Sequence, residues 1–194
     1  MNFLKKLFNI PTNEDKELQN QEVVLSLDDL FVHNFVNKGG KFLYCVKKEE
    51  VQESLENILK ENNWTDLHLL NSNLKSLLNT KEVQISDSAS SELPVFTTCE
   101  HLIADNGDIL FSSNQLKSTR LKEYSNNFIV FAKTSQLVKN TGQGLTGIKT
   151  NNASNLPTNI SSIKNYHIQN NDDNFLNYGN NNSKNLYLLL FEDL

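Results

Sequence analysis

A helical segment that lies between two short apolar runs is the feature that most constrains the fold of this chain. The runs are KFLYCV at 41–46 and LHLL at 67–70, and the segment between them is EEVQESLENILKEN at 49–62. Its apolar residues recur at helical spacing and form one face: Val51, Leu55, Ile58 and Leu59. An apolar strand, a helix and a second apolar strand in that order predict a βαβ unit with a mainly parallel sheet.

Further segments extend this alternation along the chain. Residues 26–37 form a predicted helix that starts at the N-cap candidate Ser26 and stops at Gly39-Gly40. The other predicted elements are a short helix at 72–79, strands at 83–88, 93–98 and 126–132, and a helix that opens within 134–140. NLYLLLFEDL at 185–194 is almost unbroken apolar sequence, which predicts a central strand buried on both faces. The Asn-, Ser- and Thr-rich segment 149–182 is predicted to be irregular.

The stretch CEHLIADNGDILFSS at 99–113 predicts a β-hairpin. Asn106-Gly107 lies between the apolar runs HLIAD and DILFSS, and Asn-Gly is the preferred central pair of a type I′ turn. We therefore expect an α/β domain with a mostly parallel sheet, helices on both faces of that sheet and an inserted antiparallel hairpin.

The triplet Cys99-Glu100-His101 precedes this hairpin at the end of a predicted strand, where ligands bind in open α/β sheets. One interpretation makes Glu100 or Cys99 a nucleophile or base, with His101 near it. The other interpretation is structural, because successive side chains on a strand point to opposite faces and Glu100 would not join its two neighbours. The sequence leaves both open, with Glu100 as the catalytic candidate.

The segment GQGLTG at 142–147 matches the G-x-G-x-x-G pattern of dinucleotide-binding loops. That motif requires a strand before the glycines and an acidic residue about 20 positions beyond them. Here a helical pattern precedes the glycines and no acidic residue follows before Asp172, so we expect a helix terminus and loop without a nucleotide. Asp172-Asp173 lie in an Asn-rich segment and lack metal-ligand spacing. Glu192-Asp193 follow the last predicted strand and are interpreted either as acid–base carboxylates or as solvated surface residues. The sequence predicts neither a metal nor a cofactor.

Composition limits the partners and the compartment. The chain has 194 residues, which suits one main domain, and its net charge of −5 argues against nucleic-acid binding. Arg120 is the only arginine, so a bidentate guanidinium site for a phosphate or carboxylate must use it. Cys45 and Cys99 are too few for a metal cluster or a disulfide framework, which predicts a cytoplasmic protein with reduced thiols. No apolar run approaches the ~20 residues of a membrane span.

Residues 1–25 are predicted to be an N-terminal amphipathic and polar extension of a domain that spans 26–194. The extension carries an apolar stripe at helical spacing: Phe3, Leu4, Leu7 and Phe8. This stripe is interpreted either as a surface that docks on a membrane or partner, or as a short helix packed on its own domain.

The order of these segments resembles that of the LUD-domain (lactate utilisation) proteins. TTCEHLIADNGDILFSSN at 97–114 resembles the family's core signature of a strand, a turn and a second strand. NNFIVFAKTSQLVKN at 126–140 resembles its strand-then-helix segment, and NFLNYGNNNSKNLYLLLFEDL at 174–194 resembles its C-terminal loop and last strand. The resemblance covers residues 35–194. It implies the fold of sugar-phosphate isomerases and CoA transferases, known as the NagB/RpiA/CoA-transferase-like fold.

The resemblance also implies a function, that of a non-catalytic or accessory component of lactate or organic-acid oxidation. The implied partners are iron–sulfur or flavin oxidoreductase subunits, and the implied ligand is a small organic acid. The candidate ligand-binding residues are Thr98, Cys99, Glu100, Asn106, Gly107 and Gly179. Where the family carries a Gly-Pro-Ser-Arg-type loop, this chain has IQNNDDNF at 168–175, which favours a repurposed member.

Two alternatives to the accessory role stay open at this point. One is a CoA-transferase-like or sugar-phosphate-isomerase-like enzyme, in which the Glu100 carboxylate would attack an acyl-CoA. The other is a binding module for a small organic acid or phosphate.

Overall fold

The computed structural model describes residues 25–78, 83–86, 90–117, 119–167 and 182–193. Its helices are α1 (Leu27–Asn37), α2 (Lys48–Glu61) and α3 (Thr141–Asn151), and short 3₁₀ helices span Ser72–Leu77, Leu121–Glu123 and Thr134–Gln136. Its strands are β1 (Lys41–Cys45), β2 (Asp66–Leu69), β3 (Gln84–Ser86), β4 (Val95–Thr98), β5 (His101–Ile103), β6 (Asp108–Ser112), β7 (Asn127–Lys133), β8 (Leu137–Val138), β9 (Ile160–Ile163) and β10 (Asn185–Phe191). None of the helices in these ranges has the length and apolar character that a membrane span requires.

Six strands form one parallel sheet in the order β1-β10-β7-β4-β2-β3. β10 lies between β1 and β7, so Leu188 pairs with Phe42 on one side and with Val130 on the other. Leu186, Leu188 and Leu189 are fully buried, which is the physical reason for the unbroken apolar run. The predicted α/β fold with a mostly parallel sheet and an interior final strand is confirmed.

Both faces of the parallel sheet are covered. α2 and the 3₁₀ helix after β2 pack on one face, whose core includes Leu55 and Leu189. α1 packs on the other face together with a second sheet, of strand order β8-β5-β6-β9, and this core includes Phe31 and Phe111. α3 lies on the outer side of the second sheet, around Ile148. The helices therefore flank the parallel sheet on both faces, as the sequence predicts.

The predicted hairpin is present as the antiparallel strands β5 and β6, which pair Ile103 with Asp108 at their turn end. The type I′ prediction is wrong, because that turn needs a positive φ at both central residues and of the Asn-Gly pair only Gly107 has one, at 69°. The connection is instead a longer turn, in which the Gly107 N–H donates to the Ile103 carbonyl at 2.8 Å. The Asn106 side chain accepts a hydrogen bond from the Asp108 N–H at 3.0 Å, a turn-stabilising role common for asparagine.

The prediction of a helix that opens within 134–140 is wrong. That segment forms a 3₁₀ turn and the short strand β8, and α3 begins after it, where the Asn140 side chain accepts from the Gln143 N–H at 3.0 Å. GQGLTG thus lies inside α3 rather than at the predicted helix terminus and loop. Gly144 permits the close approach of this helix to the second sheet, since a Cβ there would lie 3.0 Å from the Leu110 side chain.

The prediction that 149–182 is irregular is wrong for two parts of that segment. It contains the end of α3, up to Asn151, and the strand β9 at Ile160–Ile163. β9 pairs with β6 at the edge of the second sheet, so its ISSI sequence is partly buried by tertiary contacts. Residues 168–181 and 1–24 lie outside the described ranges. The domain boundary between 25 and 26, and the apolar stripe of the extension, therefore stay predictions.

Candidate functional site at the carboxyl edge of the parallel sheet

A cavity of about 320 Å³ opens at the edge where the strands of the parallel sheet end. Thr98 ends β4, Lys133 ends β7, Phe191 ends β10, and Asn71 follows β2. Ligands bind at this edge in open α/β sheets. The residues that line the cavity are Lys48, Val51, Asn71, Asn73, Leu74, Ser76, Leu77, Thr98, Phe131, Lys133 and Phe191.

The alternation of side chains along the strands brings these residues together. Phe96 and Phe131 pack on the face of the sheet that α2 covers. Thr98 and Lys133 each lie two residues further along the same strands, and residues two apart on a strand share a face. The cavity therefore lies at the α2 side of the sheet's carboxyl edge.

Hydrogen bonds fix the positions of two polar residues at the rim of the cavity, Asn71 and Thr98. Asn71 Nδ2 donates to Thr98 Oγ1 at 3.3 Å, which ties the end of β2 to the end of β4. Asn71 Oδ1 accepts from the Asn73 N–H at 3.0 Å and caps the 3₁₀ helix that begins at Ser72. Because both ends of the Asn71 amide are engaged, its position is fixed before any ligand arrives.

The floor of the cavity is apolar. Val51, Leu74 and Leu77 are buried there, and the Phe131 and Phe191 rings stack with their centroids 6.3 Å apart and their planes at 29°. A cavity with an apolar floor and a few polar rim groups suits a small organic molecule better than a hydrated ion.

Two lysines give the cavity its positive charge. Lys48 is the first residue of α2, and its ammonium has no ion-pair or hydrogen-bond partner within the part of the chain that the structure describes. Lys133 is half-exposed, and its Nζ lies 3.5 Å from Asp193 Oδ2. The lining itself contains no carboxylate.

Asp193 is held firmly beside Lys133. Its carboxylate accepts hydrogen bonds from the Ser135 N–H at 3.0 Å, the Ser135 hydroxyl at 2.7 Å and the Thr134 hydroxyl at 2.9 Å. These bonds, led by the backbone N–H of Ser135, lower the pKa of Asp193 to about 2. The carboxylate is therefore ionised at neutral pH, and it is fixed in place rather than freely solvated.

The amino terminus of α2 is occupied by a carboxylate of its own. Glu50 Oε2 accepts hydrogen bonds from the N–H groups of Val46 at 2.8 Å and Lys47 at 3.3 Å. These backbone bonds lower the pKa of Glu50, so it is charged at neutral pH. Glu50 thus pairs the two N–H groups that lie just before the helix and places a carboxylate at its start.

Thr98 lines the cavity, whereas the next two predicted residues turn away from it. Cys99 is buried in the core between the two sheets, and burial raises the pKa of its thiol well above the usual range. Glu100 enters the second sheet, where its N–H donates to the Leu110 carbonyl at 2.8 Å and its carboxylate accepts from the Ser112 hydroxyl. Glu100 is not among the residues that line the cavity, and its attack on an acyl-CoA stays a prediction.

His101 lies on the side of the second sheet that faces α3. Its Nδ1 is 3.2 Å from the Gln136 carbonyl oxygen, and a Cβ on Gly147 would fall 2.6 Å from its Nε2. Cys99, by contrast, belongs to the core on the opposite side of that sheet. Cys99 and His101, which could act together if they shared a face, thus lie on opposite sides of the second sheet.

The remaining predicted residues lie away from the cavity or outside the described ranges. Asn106 and Gly107 form the hairpin turn against α1, where a Cβ on Gly107 would fall 2.6 Å from the backbone nitrogen of Phe35. Gly179 lies outside the described residues. Arg120 is exposed in the segment that precedes β7. The ligand-binding roles of Cys99, Glu100, Asn106, Gly107 and Gly179 stay predictions.

Three cavity residues, Lys48, Asn71 and Lys133, are absent from the sequence prediction. Asn71 follows the predicted strand at 67–70, Lys133 follows the predicted strand at 126–132, and Lys48 directly precedes the predicted helix at 49–62. Polar residues directly after parallel strands are the signal that could have found them, since those strand ends meet at one edge.

Other parts of the described structure fit an anion less well. A space of about 620 Å³ lies under the first turn of α1, where Asp28 and Asp29 oppose negative charge. A space of about 290 Å³ lies beside Trp64 at the C-terminal end of α2, away from the strand ends that form the site. Within the described ranges, no group of three or more His, Cys, Asp or Glu side chains could hold a metal ion.

Comparison with known proteins supports the fold. No family model matches the sequence, and no curated protein matches it. A solved structure of a DUF162 family protein from Deinococcus radiodurans is similar, with a TM-score of 0.60 and 11% identity over 87% of this chain and 99% of that chain. DUF162 is an older name for the LUD-domain family. At this identity the likeness shows the fold alone.

A second solved structure, ribose 5-phosphate isomerase A from Methanocaldococcus jannaschii, is 18% identical over 61% of this chain and 58% of that chain. Its TM-score is 0.31, which is too low to support an argument about this chain.

Proposed function

We propose that this protein is a LUD-type binding module for a small organic anion, which acts as an accessory component in the oxidation of lactate or a related organic acid. The observation that carries the proposal is the cavity at the carboxyl edge of the parallel sheet, with Lys48 and Lys133 at its rim and an apolar floor. The resemblance of the sequence to LUD-domain proteins supports the metabolic setting, and the likeness to the DUF162 structure supports the fold.

The chemistry of the lining suggests how such a ligand would be held. The Lys48 ammonium attracts a carboxylate, and ammonium–carboxylate hydrogen bonds are among the stronger ones in proteins. The Asn71 amide and the Thr98 hydroxyl, already fixed by their mutual hydrogen bond, can add polar contacts. The carbon body of the ligand would lie against Leu74 and the stacked ring of Phe131.

The proposed partners are iron–sulfur or flavin oxidoreductase subunits, in a cytoplasmic setting that matches the two free cysteines. A pull-down with the tagged protein should recover such a subunit from cells grown on lactate. If no such subunit is recovered and deletion leaves growth on lactate unchanged, the metabolic part of the proposal is rejected, while the binding part has its own test.

Binding is tested by thermal unfolding and calorimetry with lactate, pyruvate and larger monocarboxylates. A ligand at 100 times its Kd stabilises the folded state by about 2.7 kcal/mol, which thermal unfolding detects readily. Lys48→Gln should weaken binding at least about tenfold because it removes the unpaired ammonium of the cavity.

The matched control is Lys149→Gln, which changes an exposed lysine on α3 that does not line the cavity. Binding that is lost equally in both variants, or kept in both, would show that the anion does not sit at the carboxyl edge.

A further inference from the structure

We propose that the cavity selects singly charged carboxylates with a compact apolar body over doubly charged anions, because Asp193 neutralises one of its two lysines. This inference rests on the proposed function and specifies its ligand class. It distinguishes short monocarboxylates from dicarboxylates and phosphate esters.

The first support is the pairing of Lys133. Its ammonium lies 3.5 Å from the Asp193 carboxylate, which is itself fixed by hydrogen bonds from Thr134 and Ser135. A carboxylate that accepts several hydrogen bonds stays ionised over the whole neutral range. Lys133 therefore contributes little net charge to an incoming anion.

The second support is the state of Lys48. No described carboxylate lies within ion-pair distance of its ammonium, so it offers one uncompensated positive charge at the rim. The N–H groups just before it are paired with Glu50 and supply no second anion site. Of the two lysines that line the cavity, only Lys48 lacks a described carboxylate partner, so a second negative charge on a ligand would find no second unpaired lysine.

The third support is the shape and chemistry of the floor. At about 320 Å³, the cavity is at the small end of ligand sites. Buried Leu74 and Leu77 and the stacked Phe131 and Phe191 rings occupy the floor. A second carboxylate at the far end of a short ligand would face this apolar surface, where an unpaired charge is disfavoured.

The test compares butyrate with succinate, which share a four-carbon body and differ in charge. By calorimetry at neutral pH and low salt, the wild-type protein should bind butyrate at least about tenfold more tightly than succinate. Asp193→Asn removes the charge that neutralises Lys133 but keeps an oxygen that can accept the Ser135 N–H. This variant should bind succinate about tenfold more tightly than the wild type does, with little change for butyrate.

The matched control is Thr134→Val, which removes a hydrogen bond to Asp193 without changing any charge. It should keep the wild-type preference for butyrate, and circular dichroism should show that both variants are folded.

The outcomes separate the two proposals. If butyrate binds and Lys48→Gln weakens it, but succinate binds equally well or Asp193→Asn leaves the preference unchanged, the charge selection is wrong and the anion site stands. If Thr134→Val loses the preference for butyrate as fully as Asp193→Asn does, the charge selection is also wrong, because the cause would be the geometry of the turn rather than the charge. If neither acid binds the wild type or Asp193→Asn, the proposed function and this inference both fail.

Discussion

Replacement of Lys184 by methionine should change the pH dependence of stability. Lys184 precedes β10 and is only 2% exposed. Its ammonium donates to the carbonyls of Tyr124 at 3.1 Å and Ser125 at 2.9 Å, and lies 5.4 Å from the centre of the Phe128 ring. These partners are neutral, so burial dominates and lowers the pKa of Lys184 from 10.5 to about 8.

The sign and size of the effect follow from this difference in pKa. Below pH 8 both the folded and the unfolded chain carry the proton, and the folded state bears the full cost of the buried charge, about 3 kcal/mol. Between pH 8 and 10.5 the unfolded chain binds more protons, so the free energy of unfolding rises with pH. Above pH 10.5 both states are neutral at Lys184, and this cost is absent.

The assay is urea unfolding of the wild type and Lys184→Met at a series of pH values from 7 to 9.5. Relative to the variant, the wild type should gain about 1 kcal/mol by pH 9 and about 2 kcal/mol by pH 9.5. Titration of the tyrosines is common to both proteins and cancels in the difference. Lys149→Met removes an exposed lysine of α3. For this variant, the difference from the wild type in free energy of unfolding should change much less with pH. A wild-type-to-variant difference that stays flat from pH 7 to 9.5 would refute the reasoning.

Three further predictions concern stability and reactivity. Gly107→Ala should lower the free energy of unfolding by about 2 kcal/mol or more, because φ is 69° and the new Cβ meets the backbone of α1, whereas Gly142→Ala should change it by less than about 1 kcal/mol; equal urea midpoints would contradict this. Leu188→Ala should cost about 2–5 kcal/mol in urea unfolding, because Leu188 is fully buried, and a cost near zero would place β10 outside the core. Cys45 and Cys99 are buried, and burial raises the pKa of both thiols, so a thiol reagent should label them only after unfolding; rapid labelling of the native protein would contradict that burial.

The sequence was sufficient for the parallel sheet and its covering helices because hydrophobic periodicity reports burial directly. The helix predicted at 49–62 is α2 at Lys48–Glu61, and the apolar run at 185–194 contains β10 at Asn185–Phe191. In both, the apolar pattern is set by packing against the sheet, so the pattern and the structure agree.

The predictions failed where tertiary contact rather than periodicity decides the local structure. α3 carries three glycines and a weak apolar face, and it is stabilised by the Asn140 cap and by close packing of Gly144 on the second sheet. β9 has the sequence ISSI and is a strand because β6 offers it an edge to pair with. Neither partner is visible in a local window of sequence.

The site was only partly predictable for a related reason. The sequence identified Thr98 but assigned it to a group with Cys99 and Glu100, its neighbours along the chain. The cavity instead joins residues from the ends of β2, β4, β7 and β10, which are brought together only by the order of strands in the sheet. Strand order depends on long-range pairing that a single sequence does not display.

Thr98 and Cys99 are neighbours along the chain but lie on opposite faces of the parallel sheet. Val95 and Cys99 belong to the core that the second sheet covers, whereas Phe96 packs toward α2 and Thr98 lines the cavity on that side. The hairpin, although the most distinctive local feature of the sequence, therefore covers that face of the parallel sheet around Val95 and Cys99. The Thr98 side chain faces the other way, toward the cavity on the α2 side.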